Sequence, residues 1–481
     1  MLCIGESKNM IELGSLFIQI DKLLDIIKLL FMCLWTIPIY RVYRLLKSLG
    51  DQEESPQSIK LSEARVAVAI PARNVKHYIR KVILSLLKQR KLPDLIILID
   101  DSSTDGTLDE VQSLIHEREA TLKRIIEQKK YYGIEYELYM RHKLIRMIVL
   151  RLKSHSGKSR ALNVALNVIC NENIDYLLVL DADTILEPDY IEKLTYVMEL
   201  DPQIGVISGL VRLWLLDSNP IRRAFAKAFR ELNSLIYSLT IRKLESAYGT
   251  MPNVNGCCAL YRMEALKRIG GFPEDSLAED AVITWELALR GYKASFLPDA
   301  IAYTVDSGSV WQLFKRMVRM VRGGYQGFII RLRKLARKRL WQLITSIIYN
   351  YFGGLAFVVN LVDLPISIYL LKHGLGGWGL LEYLAYITHL SPLSLVFTFF
   401  SAHPLMLCLL SYLTGLSGLV ISGICLLVYY RKKPYLTSAL KNAIKYAPLG
   451  VLLVWLQSIA CMIALPLAVY DILTGGNKCR W

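Results

Sequence analysis

Two hydrophobic patterns divide this chain. Between residues 65 and 306, short apolar runs alternate with amphipathic stretches; beyond 343, long apolar stretches follow one another with few charges. In the first part, the runs at 66–70, 95–100, 147–152 and 176–180 are apolar at successive positions. That is the pattern of strands buried on both faces. Helical spacing covers about 75–90, 107–130, 159–170, 189–200 and 281–290. Short strand–helix units predict right-handed crossovers and an α/β domain with a mostly parallel sheet. The span between Gly106 and Ser156 is long and basic and reads as an insertion.

The flanks follow another logic. Residues 16–46 are apolar but interrupted by Asp21, Lys22, Asp25 and Lys28, and they end in Arg41, Arg44 and Lys47 with no small-residue cleavage site. With extension they reach the roughly 20 residues of a membrane crossing. Residues 1–47 are therefore expected to be an uncleaved anchor, with a buried amphipathic helix as the alternative. A polar linker occupies 48–64. At the far end of the α/β region, residues 311–341 carry ten Lys or Arg and no acid, interleaved with Trp311, Phe314, Met317, Met320, Tyr325, Phe328 and Trp341. This composition suits interfacial helices over 307–342. Four apolar stretches follow, at about 343–371, 379–400, 404–430 and 446–472, predicting an α-helical transmembrane domain over 343–481. If all four cross, Arg431-Lys432-Lys433 lies outside, against the positive-inside rule. One re-entrant segment among the first two would place it inside, and both topologies stay open.

Composition reinforces this division. The hydrophobic fraction is 53% and the formal net charge +16, and of 42 acids only Asp363, Glu382 and Asp471 follow Asp306. Mean hydropathy is +0.33. The densest basic cluster leads into apolar segments, so membrane lipids rather than nucleic acid are its expected partner. The nine cysteines are scattered with no CxxC pair, which fits reduced thiols facing the cytosol rather than zinc ligation.

Four motifs carry candidate chemistry. Pro71, Arg73 and Asn74 close the first strand, and Asp100-Asp101-Ser-Ser-Thr-Asp105-Gly closes the second; adjacent strands would bring them together. Such a loop can accept hydrogen bonds from a base and a ribose, although Asp, Ser and Gly also make ordinary turns. Asp181-Ala-Asp183 follows the strand at 176–180. If extended, it sets both carboxylates on one side, suited to Mg²⁺ or Mn²⁺ completed by phosphates and water, or simply to a polar strand end. Gly157-Lys158-Ser-Arg160-Ala-Leu-Asn163 opens a helix whose N-terminus and cations could hold an anion; a basic helical surface is the plainer reading. Glu279-Asp280, after Gly270-Gly271-Phe272, offers a general base or a helix cap.

In order, these motifs resemble the family 2 inverting glycosyltransferases of GT-A fold, over about residues 65–325, with a membrane domain attached. The likeness extends to polysaccharide synthases (poly-N-acetylglucosamine, hyaluronan and cellulose types) and to ceramide glucosyltransferases. It implies an α/β catalytic domain of GT-A type, with a Rossmann-like mixed sheet, over 65–306, with Asp101 on the nucleotide base, Asp100 its partner, and Asp183 holding the metal on the sugar-nucleotide diphosphate. It further implies Asp181 near ribose or sugar, Asp280 as catalytic base beside Glu279, and Gly256 and Cys257 on the acceptor side. Pro71, Arg73, Asn74, Lys158 and Arg160 would flank the donor. The family's (Q/R)xxRW element finds its best match in Arg316-Met-Val-Arg319-Met320. Its arginines would offset the departing diphosphate, while Met320 stands where a Trp caps the acceptor.

The expected enzyme is thus an integral protein of the cell membrane with a cytoplasmic catalytic domain. It would transfer a sugar with inversion from a nucleotide-sugar donor, UDP-linked, to a polysaccharide exported through its helices or to a membrane lipid. A transporter or scaffold with an inactive nucleotide domain is the rival from another class.

Overall fold

The computed structural model describes residues 63–352, except 142, 215–218, 220–221, 225, 228, 230–232, 307–308 and 349, together with 19–20, 445 and 456–474. Nearly all of the anchor over 1–47, most of the linker over 48–64, and the apolar stretches at 379–400 and 404–430 lie outside the described residues, as do most of 343–371 and the start of 446–472.

The framework is one ten-stranded sheet in the order β3-β4-β5-β2-β1-β6-β9-β8-β10-β7. β1 (Val66–Ala72), β2 (Leu95–Asp100) and β6 (Tyr176–Leu180) form its centre. Their continuous apolar runs bury both faces. Val66, Val68, Ile70, Ile96, Leu98, Leu178 and Leu180 join a core with helices α1 (Lys76–Leu87), α2 (Thr107–Glu117) and α4 (Tyr190–Leu200). The small Ala67 and Ala69 point the other way, where α3 (Lys158–Ile169) packs on β1 and β2. β1 runs parallel to both β2 and β6, so three chain ends emerge side by side at one edge.

The sheet is mixed rather than mostly parallel. β2 continues parallel to β5 (Lys143–Leu152), but β5 pairs antiparallel with β4 (Tyr131–Met140), and β4 with β3 (Thr121–Glu127). On the other side, β9 (Cys258–Arg262) lies antiparallel between β6 and β8 (Ile204–Leu213); β10 (Lys293–Thr304) is parallel to β8, and β7 (Thr184–Leu186) closes the edge. The long helix expected over 107–130 is overturned by this arrangement. α2 ends at Glu117, Glu119 takes a left-handed φ of 53°, and an antiparallel meander begins at Thr121. The supposed insertion at 106–156 is therefore α2 plus a three-stranded edge of the sheet.

After β8 come a π-helical segment (Asn233–Arg242), α5 (Lys243–Ala247), α6 (Met263–Ile269) and α7 (Glu279–Leu289). The basic region is a single 28-residue helix, α8 (Val310–Arg337). One face of α8 is buried through Leu313, Met317, Val321, Tyr325, Phe328 and Leu335; Trp311, Ile329, Ile330 and Leu332 are exposed. Glycines set the approach of α8 to α7, since a Cβ on Gly327 would sit 2.3 Å from Val282 Cγ2. Among the described residues one helix, Leu456–Leu473, is long and apolar enough to cross a membrane.

Candidate active site

The carboxyl ends of β1 and β2 meet in the manner expected of adjacent parallel strands. Ala72 stands opposite Asp100, and the Asp101 N–H donates to Ala72 O at 2.8 Å. Asn74, at φ 52°, donates its N–H to Ser103 Oγ (3.0 Å) and accepts the Thr104 N–H on Oδ1 (2.9 Å). Pro71 is half-buried; Arg73 and Asn74 are exposed. Asp100 is fully buried, and that burial raises its pKa against the opposing Ser103 hydrogen bonds. Asp101 has a different task. Its carboxylate accepts the N–H groups of Ser156 (2.7 Å) and Gly157 (2.9 Å) and lies 2.7 Å from His155 Nδ1. It thereby organises the loop that enters α3, where Gly157 adopts a φ of 88°. His155 escaped the sequence reading because nothing near it repeats or alternates.

At the first turn of α3, Lys158 pairs with two acids and has a third, Asp280, nearby. Its Nζ lies 2.7 Å from Asp181 Oδ1 and 3.1 Å from Glu279 Oε1, and donates to Gly256 O at 3.3 Å. Burial would lower this ammonium's pKa, but Asp181 and Glu279 outweigh it and hold the value well above that of an ordinary lysine. Lys158 thus works as a hub between separate segments. Arg160 turns aside to Glu274 (3.0 Å), while Asn163 staples the Gly271–Phe272 turn by accepting the Phe272 N–H at 2.7 Å.

Asp181 and Asp183 do not lie in an extended segment. The Thr184 N–H donates to Asp181 O at 3.0 Å, closing a tight turn that sends the two carboxylates to different partners. Asp183 Oδ1 accepts from the hydroxyls of Thr184 and Thr304, both at 3.3 Å. Burial, with Asp181 nearby, pushes the Asp183 pKa from 3.8 to about 6. This carboxylate has hard oxygens and forms no ion pair among the described residues, which fits a divalent ion whose other ligands are phosphates and water. No group of three or more potential ligands occurs among the described residues.

Glu279 and Asp280 occupy the first turn of α7, with Ala278 as the capping residue, so neither is the cap. Burial raises the Asp280 pKa to about 6; Glu279 adds to the rise and Lys158 opposes it. Opposite stands Gly256, where a Cβ would fall 2.7 Å from both Asp280 Cβ and Oδ2. Gly256→Ala is therefore expected to displace Asp280 and lower turnover by roughly 10²-fold while the protein folds, checked by steady-state rates alongside circular dichroism. Cys257 belongs to the same turn, its carbonyl accepting the Asp181 N–H at 2.9 Å. Arg242 of the π-helical segment braces the turn by bonding Asn255 and Asn253, a support the sequence did not reveal.

From α8, Arg319 faces the same acids. Burial lowers its pKa, while Glu279, Asp280 and Asp181 act in the opposite direction. Arg316 pairs with the buried Asp306, and Met320 is 48% exposed. Of the five expected donor cations, Lys158 and Arg319 thus address the acidic trio; Arg316 and Arg160 are drawn to Asp306 and Glu274, and Arg73 is exposed. A small cleft beside them is lined by Ser156, Lys158, Arg160, Ser276 and Glu279, among others.

A mixed α/β sheet with acids clustered at the ends of its central parallel strands defines a GT-A-like catalytic domain. Residues 67–270 match glycosyl transferase family 2, and residues 176–473 match glycosyl transferase family group 2, so the chain belongs to the family 2 glycosyltransferases. Among its curated relatives, the poly-beta-1,6-N-acetyl-D-glucosamine synthase of Staphylococcus aureus is 26% identical over 182 residues, 37% of this chain and 41% of that protein. The synthase of the same description from Staphylococcus epidermidis is 23% identical over 283 residues, 56% of this chain and 59% of that one. The chain thus spans about half the length of the curated relatives it matches. A mannosyltransferase from Pyrobaculum calidifontis, solved in complex with GDP-Man and Mn²⁺, shares the fold. Its TM-score is 0.53 at 17% identity, covering 85% of this chain and all of that one.

Proposed function

We propose that this protein transfers a sugar from a UDP-linked donor, UDP-N-acetylglucosamine in the first instance, to the hydroxyl of a growing polysaccharide, with inversion. The observation that carries the reading is Asp280: a half-buried carboxylate with a pKa of about 6, facing Gly256 and backed by the Lys158 hub. A base of that pKa is ionised at neutral pH yet still basic enough to accept a hydroxyl proton. The acceptor oxygen attacks C1 of the sugar, the bond from C1 to the diphosphate breaks, and the proton passes to Asp280. Arg319, with Arg316 behind it, stabilises charge on the departing diphosphate. Asp183 would hold a divalent cation, which supplies further neutralisation of that diphosphate. Asp101 shapes the loop beneath the nucleotide through its bonds to Ser156 and Gly157.

The family likeness and the names of the relatives support the donor and polymer. The domain plan read from the sequence completes the proposal: an anchor over 1–47, a linker over 48–64, the catalytic domain over 65–306, interfacial α8 within 307–342, and membrane helices over 343–481. Exposed Trp311 and Trp341 on the basic region suit a headgroup layer. Transfer of one sugar to a membrane lipid is the second reading, favoured by the exposed, flexible Met320 where the family carries Trp.

The test is radiolabelled UDP-N-acetylglucosamine supplied with Mg²⁺ or Mn²⁺ to the full chain in detergent. A polymer supports the synthase; a single organic-extractable product supports lipid transfer. Turnover that survives both Asp280→Asn and Asp183→Asn overturns the assignment. Asp183→Asn alone is expected to raise the divalent concentration needed for half-maximal turnover by 10-fold or more, as for loss of a hard ligand, measured by metal titration.

A further inference from the structure

The C-terminal helix Leu456–Leu473 carries one charged side chain, Asp471, near its end. It is one of only three acids after Asp306, and it is 6% exposed. A carboxylate buried at the end of an apolar helix is costly unless partners satisfy it. Asp471 has three donors, all from two residues one turn apart on α8. Arg322 Nε donates at 2.6 Å and a second Arg322 nitrogen completes a bidentate pair; Gln326 Nε2 donates to the same carboxylate.

Gln326 faces two ways. Its Oε1 accepts the N–H of Leu277 at 3.2 Å. The amide orientation follows from the chemistry: the Leu277 N–H requires an acceptor and the Asp471 carboxylate requires a donor. Leu277 lies two residues before Glu279, in the loop that launches α7. The same loop is tied again by Ser276, whose hydroxyl donates to Gly323 O at 2.8 Å and accepts the Ala278 N–H at 3.0 Å. Gly323 permits this, because a Cβ there would stand 2.4 Å from Ala278 N. A continuous line of hydrogen bonds therefore runs from Asp471 through Gln326 to the backbone that sets Asp280.

We propose that Asp471 is a positioning residue: through Gln326 it fixes the loop at 275–278, and so couples the last turn of the C-terminal helix to the placement of the catalytic base. The role of Asp280 as base rests on the function proposed above; the coupling to the loop does not. The buried charge at 471 holds Gln326 in its bridging rotamer, and without it the amide loses the partner that orients it.

Hydrogen exchange on the full chain in detergent tests this, with Asp471→Ala and Gln326→Met compared with the parent. Gln326→Met keeps the Arg322–Asp471 pair and cuts only the relay, so it stands in should Asp471→Ala fold poorly. Exchange in peptides covering 275–281 is expected to quicken at least about 10-fold in both variants, while peptides from β2 stay protected. With UDP-N-acetylglucosamine as donor, kcat is expected to fall about 10- to 100-fold at near-constant KM. Unchanged exchange at 275–281 in both variants overturns the coupling, whatever the turnover. Accelerated exchange in a protein whose Asp280→Asn form stays active upholds the coupling and overturns the role of Asp280 instead.

Discussion

Asp280→Asn is expected to lower turnover by about 10³-fold while leaving the protein at least as stable as the parent above pH 7. The first effect follows from loss of the base, which contributes typically 10²–10⁴. The second follows from linkage. The folded-state pKa of Asp280 is raised from 3.8 to about 6, chiefly by burial. A group raised in this way favours the folded state fully below pH 3.8, and that contribution is lost as pH rises through about 6. At pH 7.5 the parent carries the cost of an ionised Asp280 beside Glu279, and the amide variant does not. The gain is on the order of 1–2 kcal/mol, or a few degrees in apparent Tm, and should vanish at pH 4. Thermal scans at both pH values check the sign. The same titration shapes activity: kcat/KM of the parent should climb through pH about 6 and level off above it. A variant that loses turnover and also loses stability at pH 7.5 would point to a structural rather than a catalytic carboxylate.

Lys158→Met should be the most damaging single change to the fold of the catalytic domain. The ammonium serves Asp181, Glu279 and the Gly256 carbonyl at once, so its removal strands two acids and an acceptor. Removing one partner of a buried pair costs about 3–5 kcal/mol. The lower end applies because Asp181 keeps 33% of its side chain exposed. Adding Glu279→Gln to Lys158→Met should recover part of the loss, since only one charge then remains stranded. Denaturant or thermal unfolding of the single and double variants measures both effects.

These two residues show how far the site was legible. Lys158 is legible as a helix-opening cation after Gly157, and its place at the N-terminus of α3 is as expected. Its partners were not visible, since Asp181 and Glu279 lie 23 and 121 positions away and no local pattern joins them. Period-2 spacing predicts Asp181 and Asp183 on one side of an extended segment; a tight turn instead sends one to Lys158 and the other to Thr184 and Thr304. The bonds of Asp101 to the 155–157 loop are likewise invisible in its DDSSTDG motif. Of the meander, β5 is legible in the apolar run at 147–152, whereas β3 and β4 are not, because they are partly exposed and carry charges that hide the apolar alternation marking a strand.

By itself, the chain determined the central strands, the helix starts and the four motif positions. Those depend on runs of buried apolar residues and on turn chemistry, both local in sequence. Only the tertiary structure decided which carboxylates share Lys158, why position 256 has no side chain, and how Asp471 comes to bear on the loop before Asp280. Such relations arise where segments far apart in the chain converge in a space too small and too dry for an unpaired charge. Burial then dictates the partners, and no local spacing records it.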